Sequence, residues 1–183
     1  ADLQRVIYVY PDFRPARIEL ARFHLLRQDA KAALEMATAL LEDSPDDRDA
    51  GNLYAICGGA HMSTGRSEAA AESYGRALDR CPDEVDWHLK RSEALARRGR
   101  HRERAVILKT ARARIPSIVL EMEWIDALID CGDERSAEKA IVAIEPKLER
   151  ARLRSSWLLR RARANMVLNQ PQAAKSDLAA ALR

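Results

Sequence analysis

The sequence predicts an all-α protein built from about five antiparallel helix-turn-helix repeats, and three observations predict it. Ala, Leu, Arg and Glu dominate while aromatic residues make up only 5%, a helix-forming balance with few β-branched runs. Pro11, Pro45, Pro82 and Pro116 stand 34, 37 and 34 residues apart, and each closes an apolar-periodic run. The segment WHLKRSEALARRG from Trp87 aligns residue for residue with WLLRRARANMVLN from Trp157, 70 positions further on and about two repeats away.

The clearest unit runs from Gly51 to Pro82. Tyr54, Cys57, Gly58 and His61 fall at i, i+3, i+4 and i+7, one face of a helix. Gly65-Arg66 breaks that helix, since Gly tolerates left-handed geometry. Ser67 and Glu68 are placed to cap and charge the next helix, whose face is Ala70, Tyr74 and Ala77, before Pro82 stops it. Small residues at Gly58, Ala70 and Ala77 let two helix backbones approach closely, and the tyrosines fill the remaining space.

This unit resembles the tetratricopeptide repeat, a helix-turn-helix of about 34 residues with the pattern W-x2-L-G-x2-Y…A-x3-F…P. Tyr54 stands for the Trp, Cys57 for the Leu, His61 for the Tyr and Tyr74 for the Phe, with Gly58, Ala70, Ala77 and Pro82 in place. Cys57 and His61 depart from the pattern. The resemblance implies a right-handed α-solenoid forming one domain over residues 1–183.

In chain order, residues 1–13 read as the end of a preceding repeat, with Leu3, Val6, Ile7 and Tyr10 before Pro11. A strand is the rival for IYVY, but the proline period favours helix. Half a repeat at the start suggests that the natural protein extends upstream. Repeat 1 covers 14–47: Ile18, Leu20, Ala21, His24 and Leu25, a Gln28-Asp29 turn, then Ala33, Leu34, Ala37, Leu40 and Leu41. Repeat 2 covers 51–84. Repeat 3, 85–117, carries Val85, Trp87, Leu89, Ser92 and Leu95, then Gly99, then Val106, Ile107, Leu108 and Ala111. The small residue expected at position 104 is an arginine there, with Ala105 beside it. Repeat 4, 118–149, has Leu120, Trp124, Ile125 and Leu128, a Cys131-Gly132 turn, and Ala137, Ala140, Ile141 and Ile144, with Pro146 expected to end it early. A linker from Lys147 to Arg154 leads to repeat 5, 155–183, with Trp157, Leu158, Ala162 and Met166, the turn Asn169-Gln170-Pro171, and Ala174, Leu178, Ala181 and Leu182. The polar end helix that repeat arrays need is not evident there.

No stretch approaches the roughly 20 apolar residues of a membrane helix. The nucleophile-elbow, zincin, P-loop and dinucleotide motifs are all missing, which argues against an enzyme and against a cofactor. Cys57, His61 and His24 form the most chemical-looking set, but buried polar residues in packing positions explain them better than a metal does. Three cysteines without a C-x-x-C spacing favour free thiols and a cytoplasmic location. The chain begins at Ala1, so a removed signal peptide and a periplasmic location stay open. Charge alternates by repeat: the third is basic, the first helix of the fourth carries Glu121, Glu123, Asp126 and Asp130, and the fifth is basic again with Arg150, Arg152, Arg154, Arg160, Arg161 and Arg163. Arg–carboxylate pairing between repeats is the expected outcome. A nucleic-acid partner is disfavoured, because the arginines lack interleaved aromatics.

The resemblance also implies a groove lined by the first helices and holding a peptide or a partner helix. It places that groove at Arg22 and Leu25, at Met62, at Leu89 and Arg97, at Met122 and Asp126, and at Arg163 and Met166. The Lys/Asn/Arg carboxylate clamp of one subclass is missing. The expected function is thus a scaffold or adaptor for a protein or peptide partner. A regulatory or substrate-recruiting domain of a larger enzyme, such as a transferase, and an array self-associating through its terminal repeats are the alternatives.

Overall fold

A computed structural model describes residues 2–43, 45–148 and 154–182. Most of the expected linker, with Arg150 and Arg152, and the two chain ends lie outside the described residues. Those described form eleven helices and no strand: α1 (Asp2–Val9), α2 (Arg14–Leu26), α3 (Ala30–Glu42), α4 (Asp47–Ser63), α5 (Ser67–Arg80), α6 (Val85–Arg97), α7 (His101–Arg114), α8 (Ile118–Asp130), α9 (Glu134–Leu148), α10 (Arg154–Val167) and α11 (Pro171–Ala181). The chain divides into two compact units, Ala1–Gly99 with α1–α6 and Arg100–Arg183 with α7–α11. The third expected repeat therefore gives α6 to the first unit and α7 to the second.

One device recurs in five of the turns between helices. Gln28, Gly65, Gly99, Gly132 and Asn169 take φ values of 65°, 75°, 68°, 80° and 57°. A residue in this left-handed region ends the helix and lets the following amide reach back to a carbonyl of the last turn. Asp29 N–H donates to the His24 carbonyl at 2.9 Å, Arg66 to His61 at 2.8 Å, Asp133 to Leu128 at 2.9 Å and Gln170 to Asn165 at 2.7 Å. The same residue then begins the next helix. Asp29 Oδ1 accepts from Ala32 N–H and Asp133 Oδ1 from Ser136 N–H, both at 3.1 Å.

Two local expectations are corrected. Ser67 does not cap α5: Arg66 holds the N-cap position without a side-chain bond, and Ser67 is the buried first residue of the helix. The Gly65 turn closes one residue earlier than a Ser cap would need. Pro146 does not end α9, which runs on to Leu148. The carbonyl that loses its donor is that of Val142, and Val142 is 71% exposed, so water can satisfy it. The other prolines act as expected: α1, α3, α5 and α7 end two or three residues before Pro11, Pro45, Pro82 and Pro116.

In the first unit, Ile18 and Ala21 of α2, Ala33, Ala37 and Leu40 of α3, and Leu53, Ile56 and Cys57 of α4 form one buried cluster. Alanines at the crossings keep the helices close, and the branched residues fill the layers between them. Gly58 meets Tyr74 of α5, whose ring carbons lie 2.9 Å from where a Cβ at 58 would sit. In the second unit Leu120, Ile125 and Leu128 of α8 are buried, as are Ala137, Ile141 and Ile144 of α9. Trp157 and Ala162 of α10 and Ala174 of α11 are buried too, and Trp157 is only 1% exposed. Arg161 of α10 grips Asp177 of α11 through two hydrogen bonds, at 2.5 and 3.0 Å, and Asn165 adds a third at 2.9 Å.

Candidate functional site

The first helices of the first unit are α2, α4 and α6, and the groove positions Arg22, Leu25, Met62, Leu89 and Arg97 are open to solvent in whole or in part, whereas Ile18 is buried. Arg22 is exposed, donating to Asn52 Oδ1 at 3.4 Å and lying 3.5 Å from Glu19. Leu25 is half-buried against Gly59, where a Cβ would fall 2.6 Å from the Leu25 Cδ2. A side chain at 59 would make the terminal methyl of Leu25 shift. Leu26, beside it, is 76% exposed. Met62 in the last turn of α4 and Leu89 in α6 are half-buried. Arg97 is exposed and pairs with Glu93 at 2.8 Å, which also takes Lys90 at 3.8 Å. The three helices thus present apolar side chains with charges among them.

The second unit is built differently. Met122 is buried and offers no contact surface. α8 is apolar around most of its circumference, so the position expected to face a ligand becomes core. Asp126 is buried too, inside a chain of ion pairs. Arg104 of α7 donates to Glu123 at 2.5 Å and to Asp130 at 2.6 Å. Arg160 of α10 pairs with Asp126, and with Glu123 at 3.4 Å. Arg163 pairs with Asp130 and lies 3.8 Å from Asp126. Acidic α8 is thus clamped between basic α7 and α10. Burial pushes the Asp126 carboxyl above its usual range, against the opposing pull of Arg160. Of the expected groove positions here, Arg163 and Met166 are exposed, Met166 at 61%. Arg104 and Arg160 stand in the basic segments expected to pair with the acidic helix, although no individual partner was assigned to them from the sequence. The signal for them was there: Glu123, Asp126 and Asp130 stand at i, i+3 and i+7, a single acidic stripe.

Among the described residues, no group of three or more His, Cys, Asp or Glu is placed to hold a metal. Burial pushes the Cys57 thiol up to about 11, and burial with the nearby Arg66 lowers His61, so both favour their neutral forms. His24 Nδ1 lies 3.4 Å from Asp29. The three cysteines are free thiols. No helix among the described residues is long and apolar enough to cross a membrane.

No protein-family model matches the sequence, and no curated protein matches it. Solved structures do match. YrrB, described as a TPR protein with an unusual peptide-binding site, superposes with a TM-score of 0.73 at 15% identity, covering 100% of this chain and 91% of that one. A tetratricopeptide repeat protein from Parabacteroides merdae superposes at 0.62 and 14% identity, covering 98% of this chain and 68% of that one. This is the tetratricopeptide-repeat fold. MamA from Desulfovibrio magneticus RS-1 shares it, at a TM-score of 0.74 and 13% identity over 93% of this chain and 94% of that one. At such identities the likeness carries the fold alone and leaves the binding surface to be argued from this chain's own residues.

Proposed function

We propose that this tetratricopeptide-repeat chain is a non-catalytic scaffold that holds a peptide or an amphipathic helix against α2, α4 and α6. One contrast carries the reading. Leu25, Leu26, Met62 and Leu89 stay wholly or partly open, while in α8 Met122, which matches Leu89, and Ile129, which matches Leu25 and Met62, are buried. Open apolar side chains fixed on helices, with Arg22 and Arg97 on the same helices, suit a ligand with an apolar face and acidic residues. The carboxylates on most arginines of α7 and α10 support a protein partner over nucleic acid.

A photo-crosslinking amino acid at position 26 or 62, in native extract, tests this, with position 39 on the exposed face of α3 as control. The expected result is a protein adduct from 26 and 62 only, lost when Met62→Glu is added to the position-26 probe. Equal labelling from position 39, or adducts indifferent to Met62→Glu, would remove the surface. A second reading, self-association through terminal repeats, is favoured by the exposure of Tyr8, Val9, Tyr10 and Phe13 around α1 and of Leu182 after α11. Sedimentation over a range of concentrations separates it: a mass that stays at one chain throughout would exclude it.

A further inference from the structure

We propose a second binding site, on the second unit, for an acidic amphipathic helix in the groove between α7 and α9. The groove is open along one side and measures about 540 Å³. One wall is Arg102, Ala105, Val106 and Lys109 of α7; the floor is Trp124 and Leu128 of α8; the far wall starts at Cys131, Asp133 and Ser136. It is built wholly from α7, α8, α9 and the turn between the last two. It shares no residue with the first-helix surface proposed above.

Charge and spacing select the ligand. Arg102, Ala105, Val106 and Lys109 stand at i, i+3, i+4 and i+7, so they form a single stripe with a cation at each end and apolar residues between. The cations are about 10 Å apart along the axis, at about 1.5 Å per residue. Their neighbours on and just before α7 are engaged: Arg100, at the N-cap position, with Glu103, Arg104 with Glu123 and Asp130, and Arg112 with Glu121. Arg102 and Lys109 are exposed and make no ion pair with any described residue. Between them Val106 is 63% exposed, a large apolar side chain with no cover.

The floor is fixed in advance. The Arg112 guanidinium sits 4.2 Å from the centroid of the Trp124 ring, and Glu121 holds that guanidinium by hydrogen bonds at 2.8 and 2.9 Å. Asp133, the acid on the far wall, is taken up in capping α9, and the Cys131 thiol donates to the Leu128 carbonyl at 3.3 Å. A helix laid along α7 advances at the same rise per residue. Carboxylates at its i and i+7 would meet Arg102 and Lys109, while apolar residues at i+3 and i+4 would cover Val106 and reach Trp124. An extended chain turns alternate side chains away and matches the stripe less well. A small anion would leave Val106 uncovered.

The test uses the full chain and a synthetic helix-forming peptide with Glu at i and i+7 and Leu at i+3 and i+4, followed by amide and indole NMR shifts. Saturable binding is expected, weakening as salt rises, with shifts confined to α7, α8 and the start of α9 and including the Trp124 indole. Arg102→Glu with Lys109→Glu should weaken binding about tenfold and transfer the preference to the peptide with Lys in place of Glu. Val106→Ser should weaken both forms while far-UV circular dichroism stays unchanged. Shifts that map elsewhere, the absence of saturation, or affinity indifferent to the charge reversal would overturn the proposal. So would the same residues shifting with protein concentration alone, which would give the groove to a second copy of the chain.

Discussion

At Gly58 and Asp126 the fold constrains single residues most sharply, and by different physics. A Cβ at Gly58 would sit 2.9 Å from three carbons of the Tyr74 ring, and Tyr74 is itself buried with little room to move. Gly58→Ala is therefore expected to destabilise by about 1–3 kcal/mol through overpacking. The gain in helix propensity, of about 1 kcal/mol, opposes this and does not reverse it. A lower urea midpoint for the variant checks the sign; a higher one would mean that the ring yields. Asp126 is a matter of burial. Its carboxyl is raised above the ordinary 3.8 chiefly because the charged form loses water, with Arg160 pulling the other way. A raised folded value means that the protonated form is favoured in the fold. The contribution is complete below 3.8 and is lost as pH rises through the raised value. The thermal midpoint of the wild type, compared with that of Asp126→Asn, should thus move against the wild type as pH rises through that window. A difference that moves the other way would show the arginines outweighing desolvation.

Arg104 shows how one side chain can tie an element down. Its own side chain is only 7% exposed, and it bridges Glu123 and Asp130 on α8 while Arg160 and Arg163 approach the same acids from α10. Arg104→Ala strands part of that buried acidic stripe and is expected to cost about 3–5 kcal/mol, read as a drop in denaturation midpoint. Arg76→Ala, which breaks an exposed i, i+4 pair with Glu72, should change the midpoint by about 0.5 kcal/mol or less. These elements differ in how far they could be read from the chain. The helices and their turns were legible because their punctuation is local: Gly65, Gly99, Gly132 and Asn169 can take the left-handed turn cheaply, and prolines follow four of the helices. The same holds for α1, where the proline period outweighed the β-branched run. What was not legible depends on neighbours distant in sequence. Arg104 stands where a small residue was expected, and no local rule says that two acids on the next helix are waiting for it. Met122 has the spacing of a groove residue, but its burial follows from how much of α8 is covered. The open positions at Leu25, Met62 and Leu89 were named from the repeat pattern, whereas the groove beside Val106 required knowing which cations remained unpaired.

On the scale of the whole molecule, helical repeats place most contacts between neighbours in the chain, so stability is distributed rather than pooled. The buried cluster of α2, α3 and α4 and the ion-pair chain of α7, α8 and α10 share no residue. The first is apolar packing and the second is charge held in partial burial, so the two are held by different physics. Hydrogen exchange on Arg104→Ala reads this directly. Amides of α7, α8 and α10 should lose protection by a large factor, since the substitution lowers the cost of opening where they lie. Amides of α2, α3 and α4 should keep theirs, because none of the contacts that hold them has changed. A uniform loss across both sets would mean that the chain opens as one cooperative body. The first-helix surface and the groove beside Val106 would then have to be treated as a coupled pair, each ligand altering the affinity for the other. Protection lost in the second unit alone would leave the two surfaces independent, so that a scaffold of this kind could carry one partner while the other site is empty.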